Sequence, residues 1–111
     1  MIYEMKLQNA PFQSIKSGAK DIEMRLYDEK RKLLKVGDNI KFTNLQSGEI
    51  ITVEIIGLHQ FSSFAELYKN FDKTRLGYNI DEIALPSDME QYYSADEQKK
   101  YGVVGIEIKL V

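Results

Sequence analysis

The stretch from Ile50 to Leu58 constrains this chain most, because it is the longest β-branched run in the sequence. Side chains branched at Cβ are stiff at χ1 and pack well on a pleated surface, so the run reads as a long strand. A strand of that length needs neighbours, and the sequence supplies them. Asn39 to Asn44 alternates, with Ile40 and Phe42 turned inward, and Gln46-Ser47-Gly48-Glu49 forms the hairpin turn into the long run. Val103 to Leu110 alternates again, with Val104, Ile106, Ile108 and Leu110 facing a core. Ile2 to Leu7 reads as a short strand with Met5 and Leu7 on one side. Ile22 to Tyr27 separates an apolar face (Ile22, Met24, Leu26) from a polar one (Glu23, Arg25, Tyr27).

The helices are fewer and shorter. Asn9 is placed to cap a helix over residues 10–17, with Pro11 in its first turn, Phe12, Ile15 and Ala19 at helical spacing, and Gly18 at its end. Ser62 or Ser63 caps a second, with Phe64, Leu67, Tyr68 and Phe71 on one face. Residues 28–36 read as a helical turn or loop ended by Gly37-Asp38, and residues 72–90 carry no clear pattern. Met89 to Lys100 reads as one last helix. The order of elements gives an α+β domain, a small curled sheet or half-open barrel with helices packed on it. It lacks both the regular βαβ alternation and the glycine-rich loop of a doubly wound nucleotide-binding sheet.

At 111 residues the chain is expected to form a single domain. It has no cysteine and one histidine, His59, so disulfides, thiolate chemistry and a metal site of Cys or His type are not expected. No cofactor motif is present. The N-terminus has neither the pattern of a signal peptide nor that of a membrane anchor, so the expected location is the cytoplasm. Net charge is −2, too acidic for broad, sequence-independent gripping of a duplex. The charge is unevenly spread: residues 1–45 hold nine Lys/Arg against six Asp/Glu, and residues 46–111 hold six against eleven. An anionic ligand would be drawn to the first half.

Within that half, Gly18, Lys20, Glu23 and Arg25 form a compact group. Glu23 and Arg25 project from one face of a strand about 7 Å apart along it, close enough to pair or to hold a polar ligand together. Arg25 offers a planar fork of donors suited to phosphate, carboxylate or a base edge. Lys20 falls on the opposite alternation, and the freedom of Gly18 lets the backbone bend so that it joins the same cleft. A lysine desolvated beside Arg25 would be a candidate base or nucleophile. The plainer expectation is that a charged strand face simply meets water.

The pattern Gly18-x-Lys20-x-x-Glu23-x-Arg25, following an amphipathic helix with Phe12-x-x-Ile15, resembles the signature of ASCH domains, members of the PUA-like superfamily. The resemblance continues through Val36-Gly37-Asp38-x-Ile40, Phe64-x-Glu66-Leu67-Tyr68, Tyr92-Tyr93 and Tyr101-Gly102-Val103-Val104-Gly105-Ile106. It implies a PUA-like, partly open β-barrel of five or six strands with two to four helices around it. It also implies a cleft lined by Lys20, Glu23 and Arg25 that binds RNA or a modified nucleotide. Some ASCH proteins are small amidohydrolases that act on N4-acetylcytidine with a Lys, a Thr and a Glu. Lys20 matches that lysine, Glu23 stands where the threonine would be, and no second acid aligns in Phe71-Asp72-Lys73-Thr74-Arg75. Other relatives have been proposed as ribonucleases, for which Lys20 would need a second proton-transfer group such as Tyr93 or Ser94.

Three functions are therefore carried forward. The first is recognition of RNA or a nucleotide by Lys20, Glu23, Arg25, Tyr27, Tyr93 and Ser94, with Glu23 reading an amino edge and aromatics stacking bases. The second is a hydrolase in which Lys20 activates water or attacks an amide, Glu23 shuttles the proton and Arg25 stabilises the oxyanion. The third is a protein-interaction adaptor using the helix around Met89–Lys100.

Overall fold

A computed structural model describes residues 1–111. Its centre is the predicted long strand. β4 (Ile50–Phe61) runs three residues beyond Leu58 and carries an irregularity in register between Ile55 and Gly57. β1 (Ile2–Leu7), β2 (Ile22–Leu26), β3 (Asn39–Asn44) and β5 (Val103–Leu110) complete a five-stranded sheet in the order β1-β3-β4-β5-β2. Only β1 and β3 pair in parallel; every other neighbour is antiparallel. The sheet curls into a half-barrel of PUA-like α+β type, with β1 and β2 as its two outer strands.

Two apolar clusters divide the core. One fills the curl of the sheet, with Phe42, Ile40, Val53, Ile55, Val104 and Ile106 from the strands against Phe12 and Ile15 of α1 (Asn9–Lys16). The other packs Ile22, Met24, Leu26 and Val103 against Phe64 and Leu67 of α2 (Phe64–Asn70), joined by Leu76 and Met89. β2 therefore has cover on both faces. Its apolar face lies under α2, and its Glu23–Arg25 face turns into the mouth of the half-barrel, where Glu23 is only 3% exposed. The expectation that this polar face meets water is overturned by the curl of the sheet.

Other expectations are corrected at element ends. Gln8, not Asn9, is the N-cap of α1, without a side-chain bond. The Asn9 carboxamide oxygen instead accepts from Asn44 at 2.9 Å, tying the helix to β3. Ser63 is the cap of α2, accepting from the Glu66 amide. The single helix expected over 89–100 is two pieces, a 3₁₀ segment Pro86–Gln91 and α3 (Ala95–Tyr101). Ser94 and Glu97 form a reciprocal capping box that restarts the chain as a helix. Leu110, expected inward, is 45% exposed because it closes the last strand beyond the cover of the helices.

Candidate functional site

A cleft of about 530 Å³ opens where β1 and β2 approach each other. Lys6 and Leu7 of β1, Ala10, Pro11 and Ser14 of α1, and Glu23, Met24 and Arg25 of β2 form one side. The other side comes from Tyr68 of α2, the 76–78 turn, and Asp88, Met89, Tyr92 and Tyr93. Its size falls within the 300–1,000 Å³ or so typical of small-molecule sites.

Glu23 anchors the first wall. Its Oε1 lies 2.9 Å from Lys20 Nζ and its Oε2 2.9 Å from Arg25 Nη2, with Arg25 Nε also donating at 3.1 Å. The Met24 amide donates to Oε1 at 3.3 Å. Burial alone would push this carboxyl up; the Lys20 and Arg25 charges and hydrogen bonds outweigh it and hold the pKa to about 2. Glu23 is thus a fixed anion with both oxygens engaged, and it is not available to read an amino edge. Its role is to position two cations, leaving the triad with one net positive charge. A buried carboxylate between two cations tolerates its desolvation only because every lone pair is served.

Lys20 reaches this place by an unusual route. It precedes β2, and its amide donates to the Ser14 carbonyl at 3.0 Å, which folds the Gly18 turn back on α1. Gly18 holds φ +87°, a conformation that favours glycine. The lysine stem then runs beneath Gly77, where a Cβ would sit 3.1 Å from Lys20 Cδ. Lys20 is 8% exposed and lines the cleft. Arg25 spans the opening between the outer strands, its Nη2 donating to the Lys6 carbonyl at 3.3 Å.

Of the opposite wall the sequence pointed to Tyr93 but not to Tyr68, Tyr78 or Asp88. Tyr68 and Tyr78 hydroxyls meet at 2.8 Å, and the Tyr78 hydroxyl donates to Asp88 Oδ2 at 2.8 Å. Burial pushes both phenols up, and the hydrogen bond to Asp88 adds to that at Tyr78. Tyr93 stacks on Phe64 with centroids 6.0 Å apart, and its hydroxyl sits within the field of Arg25. Burial raises the Tyr93 phenol and Arg25 partly opposes the shift.

The structure separates two of the expected site residues from the rest. Tyr27 lies past Arg25 in a shallow groove with Phe61 and Tyr101, its ring 5.8 Å from Lys32 Nζ. Ser94 is occupied as the cap of α3. Neither lines the cleft, whereas Lys20, Glu23, Arg25 and Tyr93 do.

Behind the cleft, a second ionic network holds the 72–78 turn. The Arg75 carbonyl accepts from the Asp21 and Ile22 amides at 3.1 Å each. Its guanidinium bonds Asp21 at 2.8 Å and Glu107 at 2.9 Å, and Glu107 meets His59 Nε2 at 3.0 Å. The His59 bond, helped by Arg75, holds the Glu107 carboxyl below the usual carboxylate range. No cluster of three or more His, Cys, Asp or Glu side chains is placed to hold a metal ion, and no helix is long and apolar enough to cross a membrane.

Residues 5–111 match the ASCH domain. The chain belongs to the ASCH domain family. Among solved structures, this ASCH domain is similar to the hypothetical protein PH0355, at 36% identity and a TM-score of 0.84, with both chains covered in full. It is also similar to the protein PF0455 from Pyrococcus furiosus, at 34% identity and a TM-score of 0.78 over 100% of this chain and 98% of that one. The ASCH protein of Zymomonas mobilis shares the fold at 13% identity, with a TM-score of 0.70 over 97% of this chain and 66% of that one. No protein of curated function matches the sequence.

Proposed function

We propose that this ASCH domain binds a nucleobase, as a nucleoside, a modified nucleotide or an unpaired base of RNA, in the cleft between β1 and β2. The observation that carries the proposal is the donor pair Lys20 and Arg25, fixed by a fully engaged Glu23 at the edge of a cleft that also presents Tyr68, Tyr78, Tyr92 and Tyr93. Flat aromatic walls favour a flat ligand, and fixed donors favour carbonyl or ring-nitrogen acceptors. The charged side chains lining the cleft are Lys6, Lys20 and Arg25 against Glu23, Glu82 and Asp88. That balance supports a base-sized, weakly charged ligand over a long stretch of phosphate backbone. Titration of nucleosides and short single-stranded RNAs into the amide NMR spectrum tests the reading. Shifts should cluster at residues 20–25, 76–78 and 88–93 and disappear in Arg25→Ala; a panel without such shifts would refute it.

A second reading is an amidohydrolase on N4-acylated cytidine-type nucleosides, with Lys20 as base or nucleophile. What supports it is a carboxylate that the sequence did not place, Asp88, lining the same cleft as Lys20. With its pKa near 2, Glu23 is a poor proton shuttle, so Asp88 or Tyr93 would take that part. Turnover of N4-acylated cytidine that survives Lys20→Met would exclude it. The segment on which the adaptor reading rested is two pieces, Pro86–Gln91 and Ala95–Tyr101, and no single continuous helix face supports that reading.

A further inference from the structure

Two clusters on opposite walls of the cleft differ in hydrogen-bonding sense. On the β2 side the groups offered to a ligand are Lys20 and Arg25, which donate only. On the other side, within the cluster of Tyr68, Tyr78 and Asp88, the direction of each hydrogen bond is fixed by proton count. Tyr78 has one hydroxyl proton, and it goes to Asp88 Oδ2. The 2.8 Å contact between the Tyr68 and Tyr78 hydroxyls must then use the proton of Tyr68. Both phenolic protons are spent within the wall. The Leu85 amide also points at Asp88 Oδ2, at 3.4 Å. What this cluster leaves for a ligand is the Tyr68 oxygen and the second carboxylate oxygen, Asp88 Oδ1, and both act as acceptors; the Tyr92 and Tyr93 hydroxyls lie elsewhere on the same side of the cleft.

Resting on the nucleobase reading above, we infer that Asp88 is the specificity-determining residue of the cleft, accepting from an exocyclic amino group while Lys20 and Arg25 serve the base's acceptors. The ligand class is an amino-bearing base, cytosine or adenine, in preference to its oxo counterpart, uracil or hypoxanthine. An oxo group at the same position would set its lone pairs against Asp88 Oδ1 and the Tyr68 oxygen. The carboxylate has no proton to give, and Tyr68 could donate only by breaking its bond to Tyr78. A site built to pair with a donor rejects an analogue that lacks it, because buried polar groups are left unpaired.

The same geometry fixes what Asp88→Asn would do. Oδ2 accepts from Tyr78 and faces the Leu85 amide, so the amide oxygen of the replacement takes that position and its NH₂ faces the ligand. The wall at position 88 changes from acceptor to donor with no change in shape.

Isothermal titration of the matched pairs cytidine/uridine and adenosine/inosine against the wild-type chain and Asp88→Asn tests this. The wild type should favour the amino member of each pair by about tenfold or more. Asp88→Asn should reverse the order, and adding Tyr78→Phe should weaken the reversal by freeing the amide to rotate. Equal binding of both members by the wild type, or an unchanged amino preference in Asp88→Asn, would overturn the inference while leaving the nucleobase reading intact. Failure of all four nucleosides to bind would remove that reading and the inference with it.

Discussion

Two ionic networks flank β2, and they behave as opposites. Lys20, Glu23 and Arg25 are buried at the mouth of the half-barrel, with Glu23 side-chain exposure at 4%. Asp21, Arg75, Glu107 and His59 lie on the other side of the strand, each between about a quarter and two-fifths exposed. Both have short contacts and both use a planar arginine fork. The difference is solvent. Exposed pairs are screened and lose little when cut, whereas a buried charge left without its partner costs several kcal/mol. The buried network therefore fixes two cations at the cleft, and the wet one trims the position of a turn.

Removing the central anion should separate the two most sharply. Glu23→Ala leaves two cations facing each other and should destabilise the fold by about 3–5 kcal/mol. At roughly 4 °C per kcal/mol for a chain of this size, calorimetry would register a fall in Tm of about 12–20 °C. A fall below about 4 °C would mean that the triad is hydrated after all.

Gly77→Ala tests the link between the networks, since the turn braced by Arg75 rests on the lysine stem. Gly77 holds φ +108°, and the new methyl would press on Lys20 Cδ. A loss of about 1–2 kcal/mol is expected, together with displaced amide resonances at Lys20 and Glu23. Unmoved resonances there would show that the turn does not position Lys20.

Acid exposes the same contrast. The Glu23 carboxyl titrates near 2 in the folded chain against an ordinary value of 4.5, so the folded state binds fewer protons in that interval. Its contribution is complete above pH 4.5 and is lost as pH falls through about 2. Glu107, also held low, adds a loss in the same direction. Denaturation followed from pH 6 downward should show a steep decline that Glu23→Gln flattens and Glu107→Gln changes less. The smallest effect belongs to the wet network itself: Arg75→Ala should cost about 1 kcal/mol or less in a urea titration.

What the sequence revealed follows from range. Ile50 to Leu58, the alternation at 39–44 and the apolar faces at Phe12/Ile15 and Phe64/Leu67 are local patterns, and each became the element it indicated. Lys20, Glu23 and Arg25 lie within six residues of one another, so their grouping could be read directly. The Tyr68–Tyr78–Asp88 wall could not, because α2, a turn and a 3₁₀ segment are brought together only by packing on β2. The break before α3 was available locally, in Ser94-x-x-Glu97, but the run of polar residues after Met89 looked like one helix. Tyr27 follows the alternation of Glu23 and Arg25, yet the strand ends at Leu26 and carries it out of the cleft.

The way Glu23 spends its oxygens has a further consequence. β2 is an outer strand, and outer strands invite pairing with another chain through their unpaired amides. The outward amide of Met24 is taken by Glu23 Oε1, and that of Ile22 by the Arg75 carbonyl. The carboxylate that steadies Lys20 and Arg25 thus also denies the strand to a neighbouring sheet. A mutation that frees it would be felt in solubility and self-association as well as in the cleft.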